Sequence, residues 1–388
     1  MKIAFIGQKG IPAISGGIEK HAEDLAVALV ERGHEVIVYT RPNYTNPNLK
    51  EYKGVQLISL PSLATKNLDA ITHTFLAVLD LIRRDVDIIH FHAIGPSSLI
   101  WLAKLLKPNT KVVATFHCQD YFHQKWSWFA RMYLRFGEYV ACTGANKTIA
   151  VSKTLAGYVS LAYDREATYI PNGVHEVSTE EPELIKQFGL EKGKYILAVS
   201  RLVRHKGVHH LIKAFRNLAT DKKLVIVGDG AFTDEYVSEI KNMAAEDPRI
   251  IMTGAQKGQM LAELFSNAAL FVQPSESEGL SIALLEAMSY GRAALVSDIS
   301  ENKEAIGEYG FTFKSRDVED LTKQLSILLS NEQLLAQVGV QAQARMIHEY
   351  NWSMITDNTE QVYAELIAEA FSGRVERRKA FARLTTFI

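Results

Sequence analysis

Two cysteines in 388 residues, Cys118 and Cys142, can build neither a disulfide framework nor a cysteine-based zinc site, and such sparing use suits a reducing compartment. Long apolar runs are missing as well. No uncharged stretch approaches bilayer length, and the apolar opening Met1 to Gly7 is too short for the core of a secretory signal. The expectation is a cytosolic protein. Nor does one sign of charge dominate, the net being −1. Residues 1–175 carry 19 Lys and Arg against 14 Asp and Glu, leaving 24 against 30 in the rest. The basic half is suited to an anionic partner such as a membrane surface, unless so small a difference is incidental; no nucleic-acid partner is expected.

Two ligand-binding signatures are also absent. The loop Gly7 to Glu19 is too long and wrongly spaced for G-x-G-x-x-G, which disfavours a nicotinamide dehydrogenase. Asp85-Val86-Asp87 imitates a metal-binding D-x-D but sits where a strand begins, away from the ligand edge of a sheet, and reads as a solvated loop.

What is present alternates between strand and helix patterns. Lys2 to Gly7, Glu35 to Thr40, Val55 to Leu60, Asp87 to His92, Lys111 to Phe116 and Thr148 to Ser152 read as the strands of a doubly wound first domain, Thr148 to Ser152 being its last. After the turn chemistry of Ile170-Pro-Asn-Gly-Val174 the alternation restarts at Tyr195 to Val199, then Lys223 to Val227, Ile250 to Met252, Leu270 to Gln273 and Ala294 to Ser297. The fold class is therefore α/β, with two doubly wound Rossmann-like domains over residues 1–172 and 173–352. Residues 353–388 read as C-terminal helices packing back on the first domain.

Candidate site residues cluster at strand ends. Glu278 and Glu286 stand eight positions apart across Gly279-Leu280-Ser281, where a loop turns into an apolar helix; a buried Glu286 needs a hydrogen-bonding partner, and the helix start suits a phosphate. Taken alone, the pair equally suits a capped core helix with two solvated glutamates. Arg201 and Lys206 follow a strand, in the position where cations meet phosphates. Gly16-Gly17 before the first helix permits close approach of a ligand, or is only a turn. His117 ends a strand on the ligand edge. His90 and His92 share a strand face and have metal-ligand spacing, but lack evident carboxylate or cysteine partners and read as structural. From Tyr121 to Tyr139, Trp126, Trp128, Phe129, Met132, Tyr133 and Phe136 interleave with Lys125, Arg131 and Arg135: either an interfacial helix or a core helix with snorkelling cations. A basic tail with Arg374, Arg377, Arg378, Lys379 and Arg383 suits anionic lipid or plain solvation.

Together, in this order, Gly16-Gly17, His117, Ala150-Val-Ser-Lys153, Ile170 to Val174, Ser200-Arg201 with Lys206-Gly207, and the E-x7-E pair resemble the retaining glycosyltransferases of family 4, over nearly the whole chain. That resemblance implies the GT-B architecture, a nucleotide-sugar donor held by the second domain, and a lipid-linked or saccharide acceptor on the first. Arg201 and Lys206 would neutralise the diphosphate without a metal or other cofactor. The backbone after Gly279 would add N–H donors, Glu286 would hold the ribose and Glu278 the transferred sugar. His117 would lie beside that sugar, and Gly16-Gly17 would close over the phosphates. Leu280-Ser281 replaces the Phe-Gly of many relatives, placing a hydroxyl near the sugar; the run around Gly10 to Glu19 is similar to rhamnosyltransferases of surface-polysaccharide assembly. The expected location is cytoplasmic, peripheral on the inner face of the membrane if the basic and aromatic stretches meet anionic lipid. A glycoside hydrolase using the two glutamates would need no phosphate-binding cations. A hydrolysing nucleotide-sugar epimerase and a non-catalytic nucleotide-sugar-binding subunit share the two-domain plan.

Overall fold

Short runs of β-branched and aromatic residues bounded by turn residues build two sheets in the computed structural model, which describes residues 1–122, 126–230 and 233–385, with side chains as far as residue 370. The first sheet holds β1 (Lys2–Ile6), β2 (Glu35–Thr40), β3 (Glu51–Tyr52), β4 (Val55–Ser59), β5 (Ile88–His92), β6 (Lys111–Phe116), β7 (Lys147–Ala150) and β8 (Ala167–Tyr169). Its order is β3-β4-β2-β1-β5-β6-β7-β8, parallel except where β3 meets β4. The second holds β9 (Tyr195–Val199), β10 (Lys223–Val227), β11 (Ile250–Gly254), β12 (Leu270–Gln273), β13 (Ala294–Ser297) and β14 (Phe311–Phe313), in the order β11-β10-β9-β12-β13-β14. Both sheets are doubly wound, as the alternation of patterns predicts.

One reading changes. The run after Thr148 is not the last strand of its sheet: β8 follows, three half-buried edge residues too short to show a period. The helix Lys153–Tyr163 lies between them, capped by Ser152, whose hydroxyl accepts the Leu155 N–H at 3.2 Å.

One compact unit comprises Met1–Tyr121, Trp128–Ile170 and Trp352–Ile388; the other comprises Phe122–Ser127 and Pro171–Asn351. The first unit is completed by the helix Trp352–Thr385. Trp352, Ile355, Val362, Tyr363 and Leu366 enter the core made by Ile3, Phe5, Leu25, Leu29, Val36 and Ile88. Arg32 pairs with Asp357 and Glu360 along the same seam. The second unit packs the helix Val208–Arg216 and the helix Val318–Leu329 on its sheet through Leu211, Phe215, Leu321 and Leu325.

The aromatic helix spans Trp128–Gly144 and leaves most of its aromatic side chains outside the core. Its inner side is Leu134, Gly137, Glu138, Val140, Ala141 and Cys142, and a Cβ on Gly137 would lie 2.1 Å from the Ile94 carbonyl oxygen. The buried Glu138 Oε1 accepts hydroxyls from Tyr158 at 2.7 Å and Tyr163 at 2.6 Å. Trp128, Phe129, Met132, Phe136 and Tyr139 instead face outward with Arg131 and Arg135, Trp128 being 66% and Phe129 78% exposed. Lys125 lies outside the described residues, as do the side chains of the basic tail.

Candidate functional site

In the second unit β9 is flanked by β10 on one side and β12 on the other, so the connections leaving β9 and β12 diverge to opposite faces and open a crevice at their carboxyl ends. The loop after β9 carries Arg201 and Lys206, and the loop after β12 carries Glu278 to Ser281. Backbone and glycine geometry join the two loops: Glu276 N–H donates to His205 O at 2.7 Å, and a Cβ on Gly207, which has φ +70°, would lie 1.9 Å from Pro274 O. Only glycine fits there.

The Lys206 ammonium donates to both Glu278 oxygens, at 2.6 and 2.7 Å, with the two side chains 15% and 7% exposed. These two residues are therefore partners. Arg201 is half-buried, and its guanidinium has no hydrogen bond or ion pair among the described residues. Ser281 is the N-cap of the helix Ile282–Ser289. Its hydroxyl accepts the Leu284 N–H at 3.4 Å and donates to Gln273 at 2.6 Å, so it is engaged in shaping the loop. Gln273 continues to Asn302 at 2.7 Å, and Asn302 to Ser297 at 2.9 Å. Asn172 adds a bond of 2.8 Å to the Leu280 carbonyl. Leu280 and Gly279 are buried, whereas Glu286 is only half-buried. It stands on the side of the helix shared with Ile282, Ala283 and Tyr290, away from the packed Leu284, Leu285 and Met288. Glu301, which the sequence does not single out, lies near enough to Glu278 to feel its charge; burial, then that charge, raise its pKa.

The first unit has its own crevice between β1 and β5, where the winding again reverses. The loop from Gln8 to Gly17 lines it and is held by side chains. Tyr44 Oη accepts the N–H groups of Ile14 and Ser15 at 2.7 and 2.8 Å, Glu19 accepts Lys9 N–H at 3.2 Å, and Glu23 accepts Ala13 N–H and the Tyr52 hydroxyl. Gly16, at φ +102°, caps the helix Gly17–Glu31, and a Cβ there would meet the Glu19 carboxylate at 2.0 Å.

His117 follows β6 on the same edge and is buried in a histidine array. His92 Nδ1 lies 3.3 Å from His117 Nε2, the His21 ring 4.9 Å from that of His117, and the His90 ring stacks on His92 at 4.3 Å. His90 has both nitrogens occupied, by Tyr363 and Thr115 at 2.6 Å each, as a structural histidine should. Asp85 and Asp87 are solvent-exposed, at the opposite end of the strands.

Burial pushes His90 to about 3 and His92 and His117 well below the ordinary value, and does the same to a histidine outside the array, His73, whose Nε2 lies 3.0 Å from the Thr40 carbonyl oxygen and whose pKa falls to about 4. Their folded values lie below the unfolded value of about 6.5, so acid protonates the unfolded chain first. The stability they support is full above about pH 6.5 and is lost as the pH falls towards the folded values, at about 1.4 kcal/mol per pH unit for each histidine. The melting temperature should therefore drop from pH 7 to pH 5, and His73→Gln should flatten the slope. A profile flat across that range would contradict this assignment.

Comparison with known proteins agrees along the chain. Residues 15–176 match the family described as Glycosyltransferase Family 4, and residues 180–345 that described as Glycosyl transferases group 1. The chain is similar to the N-acetyl-alpha-D-glucosaminyl L-malate synthase of Bacillus anthracis, 26% identical over 95% of this chain and 99% of that one. It is similar also to the phosphatidyl-myo-inositol mannosyltransferase of Mycolicibacterium smegmatis, 27% identical over 90% of each. Among solved structures, sucrose-phosphate synthase from Thermosynechococcus elongatus superposes with a TM-score of 0.81 at 21% identity, covering 95% of this chain and 99% of that one.

Proposed function

Since the chain belongs to glycosyltransferase family 4 and has the GT-B fold, we propose that it moves a sugar from a nucleoside-diphosphate sugar to a hydroxyl acceptor, retaining anomeric configuration, in the assembly of a cell-surface polysaccharide or glycolipid. The observation that carries this reading is the crevice between β9 and β12. It gathers Arg201, Lys206, Glu278 and the capped helix start at Ser281 within two loops.

Departure of a nucleoside diphosphate builds negative charge on phosphate oxygen and positive charge on the anomeric carbon. Arg201, Lys206 and the N–H groups at the start of the helix Ile282–Ser289 are suited to the first charge. The Glu278 carboxylate is suited to the second. In this reading Glu286, half-buried one turn along the helix, would take ribose hydroxyls, and a phosphate oxygen would receive the acceptor's proton during attack on the face the leaving group vacates. His117 would contact the sugar, with Gly16-Gly17 over the phosphates. In this reading the cations do the work of a metal.

A thermal-shift screen of UDP, GDP, dTDP and ADP sugars tests the donor class, because one bound donor raises the melting temperature. Anomeric analysis of the product should then show the donor's configuration. Inversion would refute retention, and conversion of donor without acceptor would favour an epimerase.

The acceptor reading rests on relatives named for lipid-linked substrates and on the outward face of the helix Trp128–Gly144. No helix among the described residues is long and apolar enough to cross a membrane. Five apolar side chains with Arg131 and Arg135 on one exposed side are suited to lie in an anionic lipid surface. The protein should sediment with phosphatidylglycerol vesicles and be released by salt, and Phe129→Ser with Arg131→Glu should weaken that binding. Absence of sedimentation at low salt would rule out surface attachment.

A further inference from the structure

His21, His92 and His117 come from three separate elements of the first unit: the helix Gly17–Glu31, the end of β5 and the residue after β6. Each offers a nitrogen, and the three nitrogens lie within 4.8 Å of one another. We propose that they form a site for a divalent transition cation of the zinc class, and that loading it inhibits transfer by withdrawing His117 from the sugar. The inhibition rests on the transferase reading above; the binding does not.

Geometry supports the site. The His92 Nδ1 to His117 Nε2 distance of 3.3 Å is close to the edge of a tetrahedron with metal–nitrogen bonds of about 2.0–2.1 Å. No nitrogen pair need close by more than about 1.5 Å to reach such an edge. His92 is wholly buried, and it is the Nδ1 of its ring that faces His117, so Nδ1 is the ligand atom it offers. The platform beneath is fixed, because His90 stacks on His92 and Phe5 packs on its ring at 4.8 Å.

The donor set decides the metal. Three imidazoles without carboxylate or thiolate suit zinc, copper, cobalt or nickel and not magnesium or calcium, and three protein ligands leave a fourth position open. An ion there would hold the imidazole of His117 on the metal and unavailable to a sugar hydroxyl. Transfer would need the site empty.

Titration of the full-length chain with Zn²⁺ alone, followed by calorimetry, tests the site. One ion per chain is expected, with His21→Gln and His92→Gln each losing at least about 100-fold in affinity. His210→Gln, in the separate cluster of His209, His210 and Glu276, should bind as the parent does. Should a variant fail to fold, X-ray absorption at the zinc edge of the parent protein supplies the check, since it should report three imidazole nitrogens. No binding at micromolar Zn²⁺, a shell without imidazole, or loss of binding confined to His210→Gln would overturn the site. Parent transfer should fall as the site fills and return on chelation, and residual transfer by His21→Gln should ignore Zn²⁺. Zinc that fills the site without slowing transfer would overturn the inhibition. A protein that transfers no sugar yet binds Zn²⁺ through these histidines would count against the transferase reading and leave the site standing.

Discussion

Glu278→Gln should lower turnover by roughly 10²–10³-fold or more while leaving nucleoside diphosphate affinity no weaker than in the parent. The carboxylate is almost fully enclosed and takes the Lys206 ammonium on both oxygens. An amide of the same shape keeps one acceptor for Lys206, so the loop should hold, while the negative charge facing the developing oxocarbenium is gone. Freed from a full counter-charge, Lys206 is more available to phosphate. Turnover by single-turnover kinetics and UDP affinity by calorimetry separate the two effects. Undiminished turnover would remove Glu278 from the chemistry.

Lys206→Ala should weaken nucleoside diphosphate binding by about 10–100-fold, the range of one charge-assisted hydrogen bond. A second effect must be separated from it. Truncation strands Glu278 without its partner in a place where little water reaches, and a lone enclosed carboxylate is destabilising. The double variant Lys206→Ala with Glu278→Gln removes both charges and should recover melting temperature without recovering affinity. Unchanged affinity in Lys206→Ala would exclude the phosphate role, and recovery of affinity in the double variant would show that the single variant failed through misfolding.

The second unit's strands were the most legible feature of the sequence. Tyr195–Val199, Lys223–Val227, Leu270–Gln273 and Ala294–Ser297 are central, buried on both faces, and therefore written as unbroken apolar runs. Edge strands such as Ala167–Tyr169 and Phe311–Phe313 carry three residues each and no such run. Glu278 and Glu286 were visible because one loop and one helix hold both. The Lys206–Glu278 pair was not, since its members are 72 positions apart and meet only because β9 and β12 are neighbours in the sheet. Ser281 reads as a possible sugar-facing hydroxyl, but the helix start and Gln273 engage it first. His21 sits on a helix among charged residues, and nothing local reveals that β5 and β6 bring two more imidazoles beside it.

The return of the chain to its first unit sets the order in which the protein can be completed. From Pro171 to Asn351 the polypeptide belongs to the other unit, and it re-enters the first at Trp352. On the ribosome, the first sheet emerges early but lacks the buried Trp352, Ile355, Val362, Tyr363 and Leu366 until the intervening unit has been made. The portion translated first is thus the last to be sealed, and until then it exposes the apolar floor on which that helix will lie. A nascent chain stalled near residue 340 should engage chaperones through its amino-terminal half, whereas the younger segment has every strand of its sheet.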